Sequence, residues 1–137
     1  MTRVSVEVPA ELRRPVRETV LLLYQATAES LHQALRAGDD GEAHMHRVRI
    51  DELDALAIAL AGTEDLPAAE DAPAGGRAVR ITGSRDLLHD ALYGALIDAG
   101  ERLADVSSRG WRGELPAERI QEAAAEVLAL HALLSGL

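Results

Sequence analysis

HMHRVRI, residues 44–50, is the stretch on which the fold turns. Its residues alternate: His44, His46, Val48 and Ile50 on one side, Met45, Arg47 and Arg49 on the other. A period of two belongs to a half-buried strand, with Val48 and Ile50 inward and the two histidines toward the rim. The rival is a helix that starts at Glu42, and against it the apolar spacing slips between Val48 and Leu53. Read as a strand, the stretch becomes one of three.

The other two strands lie at 3–8 and 77–82. RVSVEV alternates with Val4, Val6 and Val8 inward, and RAVRIT does so with Val79 and Ile81. PAELRRP then opens a long helix over 10–37, with Pro15 placed in its first turn. Val16, Val20, Leu23, Thr27, Leu31 and Leu35 form its stripe. The run Val20-Leu21-Leu22-Leu23-Tyr24 is apolar all round, which predicts cover on more than one side. AGDDG ends this helix, and Asp51 caps a short one over 51–61 carrying Leu53, Leu56 and Leu60. Residues 62–76, GTEDLPAAEDAPAGG, read as a flexible acidic Gly/Pro/Ala loop.

Beyond the third strand, Ser84 starts a long helix to about residue 107, with Leu88, Leu92, Ala95, Ala99 and Leu103 in line. RGWRGEL is the turn. A last helix over 116–135 lines up Ile120, Ala124, Val127, His131 and Leu134. The expected fold is α+β, a single domain over 1–137. A small three-stranded sheet (3–8, 44–50, 77–82) has one face covered by two long helices (10–37, 84–107) and two shorter ones (51–61, 116–135). The halves echo each other thinly: VEVPAEL and VRITGSRDL both lead from a strand into a long helix.

Composition narrows the function classes. The chain has 137 residues, 47% of them apolar, with one Trp, two Tyr and no Phe, so Leu, Val, Ile and Ala must build the core. A net charge of −9 disfavours nucleic acid and anionic membranes as partners. The absence of cysteine excludes disulfides, thiol catalysis and thiolate metal sites. No apolar run reaches membrane-spanning length, and the N-terminal stretch lacks a signal-peptide core, so a cytoplasmic protein is expected.

Chemistry-bearing patterns are sparse. On a strand, His44 and His46 share a face, and with Glu42 from the acidic turn they suit a divalent metal such as zinc. Histidines at a half-exposed rim explain the same residues. Glu29 and His32, like Asp86 and His89, are carboxylate-x-x-His pairs, but the further helical glutamates of a di-metal site are not arranged around them. No serine sits in a G-x-S-x-G elbow, and TGSRD at 82–86 lacks the glycine spacing of a phosphate loop. Arg47, Arg49 and Arg80, joined by Arg3 and opposed by Glu7, project from the outer sheet face, where an anion or acidic partner can bind.

The apolar excess on the helices points to a partner. Tyr93 and Ile97 lie well off the core stripe of their helix, and Leu21 and Leu22 lie off theirs. Homodimerisation through one of the two long helices follows, and with it a non-catalytic homodimeric interaction or regulatory module, open to a further protein partner. The alternative is a metal- or anion-binding protein, or an enzyme, using His44/His46 with nearby acids or the Arg47/Arg49/Arg80 face. Trp111, between Arg109 and Arg112, has two readings. As a staple it folds back over the helix ends and buries its ring. As an anchor it stands exposed beside the two arginines. The expectation here is the staple.

Overall fold

The computed structural model describes residues 3–61 and 78–137. The elements run β1 (Arg3–Val8), α1 (Ala10–Ala37), α2 (Asp40–Ala61), β2 (Val79–Ser84), α3 (Arg85–Trp111) and α4 (Ala117–Ser135). Among the described residues the protein is thus mostly helical, with a two-stranded antiparallel sheet. The chain forms two compact units, Met1–Ser84 and Arg85–Leu137. The expected acidic loop at 62–76 lies outside the described residues.

The first unit holds the sheet and the α1–α2 hairpin. β1 and β2 pair with Val6 opposite Ile81 and Val8 opposite Val79. Val6, Val8 and Ile81 are buried with Leu12, Val16 and Val20 of α1 and Leu53, Leu56, Ala57 and Leu60 of α2. A lone hairpin of strands is marginal in water, and here α2 packs against β2. Glu52 of α2 fastens the open end of the ladder. It lies 3.9 Å from the Arg3 guanidinium and accepts a hydrogen bond from the Ser84 backbone N–H, and Arg3 and Ser84 are register partners.

The third strand is a helix. Residues 44–50, expected as a strand, run through the interior of α2, and the short helix expected at 51–61 is its second half. The stripe that carries α2 is Ala43, His46, Ile50, Leu53, Ala57 and Leu60, at spacings of three and four, all buried or half-buried. Val48 broke the helical reading only because it was counted as core; it is exposed. The AGDDG break is one tight corner. Gly38 ends α1 in the left-handed conformation at φ 72°, and its N–H reaches back to Ala34 and Leu35. Asp39 then caps α2, its Oδ1 accepting from the Glu42 N–H at 3.1 Å. Two helices back to back replace the helix–loop–strand expectation.

A buried arginine closes this hairpin. Arg13, 2% exposed, donates from Nε to the Leu60 carbonyl at 3.1 Å and from Nη2 to the Ala61 carbonyl at 2.6 Å. Those carbonyls end α2 and have no intrahelical donor, and the guanidinium sits at the negative end of the helix dipole. Pro15 stands inside α1, past the first turn where it was expected.

The second unit is the α3–α4 hairpin, whose helices pack on each other. Leu87, Leu88, Ala91, Leu92, Ala95 and Ala99 form the buried face of α3, whereas Leu130 alone is fully buried on α4. Helix α3 does not stop near residue 107; it continues through Gly110 to Trp111. At Gly110 a Cβ would sit 2.5 Å from Ile120 Cδ1 in the first turn of α4, so a larger residue there must displace that side chain. Gly113, at φ 74°, makes the turn.

Candidate functional site

The corner between α3 and α4 is locked without its tryptophan. Ile120 lies over Gly110, Arg102 pairs with Glu126 across the two helices, and Glu114 in the turn receives Arg109 and Arg112, each at 3.4 Å. Trp111 takes no part and is 91% exposed. The expected staple is therefore overturned. Ile120, not the ring, packs against the end of α3 at Gly110, and α3 runs on as helix to Trp111, whose indole stands exposed.

Tyr93 and Ile97, expected to lie off the core face, are exposed at 49% and 46%. They turn out to share a face with Trp111. At about 100° per residue, Tyr93 and Trp111 fall in phase, about five turns apart, with Ile97, Gly100, Ala104 and Ser107 between them. This stripe lies on the side of α3 largely opposite buried Leu88, Ala91, Leu92 and Ala95. The Tyr93 ring stacks on His89, centroids 5.8 Å apart and planes 13° from parallel. Gly100 has nothing within 4 Å of where its Cβ would be, so no contact among the described residues requires a glycine. The sequence reading missed Gly100, Ala104 and Ser107, because their alignment with Trp111 exists only if the helix passes through SSRGW.

A second uncovered face lies on α1. Leu21, Tyr24, Ala28, Leu31 and Leu35 follow three-and-four spacing, and Leu21, Tyr24 and Leu35 are exposed. It flanks the face of Val16, Val20, Thr27 and Ala34 that is buried. Thr27 satisfies its buried hydroxyl by donating to the Leu23 carbonyl at 2.7 Å. At the start of the uncovered face, Arg14, Arg17, Glu18 and Leu21 line a shallow depression, and Arg17 Nε is buried with no hydrogen-bond partner among the described residues. The two tyrosines and the tryptophan are the chain's whole aromatic complement, and all three lie on these faces, Tyr24 at 36% exposure.

The expected ligand sites lose the geometry that suggested them. His44 and His46 on a helix point about 200° apart, so the shared strand face is gone. Glu42 comes into line with His46 one turn on, while His44 lies on the other side; His44 and Glu42 are exposed and His46 is half-buried. Among the described residues no group of three or more His, Asp or Glu side chains is placed to hold a metal ion. Glu29, His32, Asp86 and His89 are likewise exposed.

The arginine face is dispersed for the same reason. Arg47 and Arg49 ride on α2, and only Arg3 and Arg80 belong to the sheet. On its outer side Arg80 faces Glu7 across the ladder, and the Ser5 and Thr82 hydroxyls meet at 2.8 Å. These are cross-strand pairs of a solvated polar surface.

No helix among the described residues is long and apolar enough to cross a membrane. No protein-family model matches the chain, and no curated protein or solved structure shows significant similarity to it.

Proposed function

We propose that this chain is a non-catalytic, cytoplasmic, homodimeric interaction module that works by presenting helical surfaces to a second copy of itself and to a further protein. The observation that carries this reading is the placement of the aromatics. A chain with three aromatic residues would be expected to spend them in its core, where each buries a large area. Here all three stand on two apolar helix faces that nothing among the described residues covers. Contiguous exposed apolar surface of this kind marks contact sites in soluble proteins.

Two such faces allow a division of labour: one for self-association, one for a partner. Light scattering coupled to gel filtration, across the micromolar range, tests the first half. A mass of twice the chain is the expected result, and a monomer throughout that range overturns the reading.

A further inference from the structure

We infer that α3 is the self-association seam: two copies lay their α3 helices antiparallel across Gly100 and Ala104, and each Trp111 covers the partner's Tyr93. This rests on the homodimer reading above and specifies where and how the second copy binds.

The stripe is self-complementary. Tyr93, Ile97, Gly100, Ala104, Ser107 and Trp111 are spaced four, three, four, three and four. Reversed about its midpoint, beside residue 102, the series maps onto itself. Gly100 then meets Ala104, Ile97 meets Ser107, and Tyr93 meets Trp111. Large residues stand at the ends and small ones at the centre, so the backbones can approach closely in the middle while the aromatic rings close over both ends. That gives Gly100 a purpose. A glycine inside a helix weakens it, its backbone here is ordinary helix, and among the described residues the space beside it is empty.

The available area agrees with a second copy as the occupant. Glu101, exposed beside the stripe, meets its own copy near the axis, a like-charge approach that the apolar contacts must outweigh. The exposed parts of Trp111, Tyr93 and Ile97 offer on the order of 400 Å² per copy. With the small residues between them, two copies bury on the order of 1,000 Å², about where specific interfaces begin.

Two measurements decide it. The chain has no cysteine, so introduced thiols are the only ones present. Ile97→Cys chains mixed with Ser107→Cys chains should form a disulfide-linked heterodimer under mild oxidation. Neither variant alone should link efficiently, since the two copies of residue 97 lie about 15 Å apart along the seam. Self-linking of Ile97→Cys would indicate a parallel seam and overturn the proposal.

Gly100→Leu should weaken the dimer at least tenfold while helix content and monomer unfolding temperature hold or rise, because the new side chain enters open space. If Gly100→Leu stays dimeric and Leu21→Glu/Leu35→Glu becomes monomeric, the seam is α1: this inference fails and the homodimer reading survives. A wild-type chain that is monomeric throughout the micromolar range sinks both.

Discussion

The two helix hairpins follow one plan and close by different means. In each, a strand leads into a long helix that is followed by a left-handed glycine, Gly38 after α1 and Gly113 after α3, and a shorter helix returns. The α1–α2 corner is tight: Asp39 begins capping α2 directly after Gly38, and buried Arg13 grips the far end of α2. The α3–α4 corner runs through residues 112–116, is held by backbone hydrogen bonds and exposed ion pairs around Glu114, and packs Ile120 close to Gly110. Five residues of α2 are buried against one of α4, so the first hairpin is fixed mainly by its core and the second leans on its corner. The least covered corner is also where the tryptophan is displayed. A hairpin that is tied at its tip can leave the neighbouring face free for a partner.

The comparison breaks most visibly at Arg13. Arg13→Met strands two carbonyls at the end of α2 and should cost about 2–3 kcal/mol, or roughly 10 °C in unfolding temperature by calorimetry. Among the described residues, no polar or charged side chain of the second hairpin is buried in the same way.

A double-mutant cycle sharpens the view of the other corner. Gly110→Ala should destabilise by about 1–2 kcal/mol, because its methyl meets Ile120. In an Ile120→Ala background the clash vanishes and the same change should stabilise by up to about 1 kcal/mol, as alanine favours helix over glycine. A cycle without that reversal of sign, measured by urea unfolding, would show that the two residues do not meet.

Glu52→Ala unties the open end of the strand ladder from α2. About 1–2 kcal/mol is expected, with faster amide exchange near Arg3 and Ser84 than near Val6 and Ile81. The smallest effect belongs to Trp111. Under dilute conditions where the chain is monomeric, Trp111→Ala should move stability by less than about 0.5 kcal/mol, while self-association at higher concentration is lost. A large loss of monomer stability would bring back a structural role for the ring.

Much of this protein was legible from residue order. The Val4/Val6/Val8 alternation set β1, and the helix over 10–37 has the bounds that its stripe and Gly38 implied. The faces of Leu88, Leu92, Ala95 and Ala99 were readable because burial follows helical period in a long element. Residues 44–50 were not, because a short segment with apolar and polar residues alternating fits either period. Only packing against the α1 hairpin partner and β2 showed that Ile50 is in the stripe and Val48 outside it.

The candidate site divides the same way. That Tyr93 and Ile97 stand apart from the core was visible in the sequence; Trp111 was expected to fold back over the helix ends, and it is exposed instead. That the three form one surface was not visible, because it depends on α3 continuing through SSRGW, where local signals suggest a turn. Helix α3 runs unbroken past Gly110, where Ile120 packs close, and so brings the tryptophan into phase with the tyrosine. Local pattern determined which residues each helix could bury; the crossing of one helix over another decided which were left exposed.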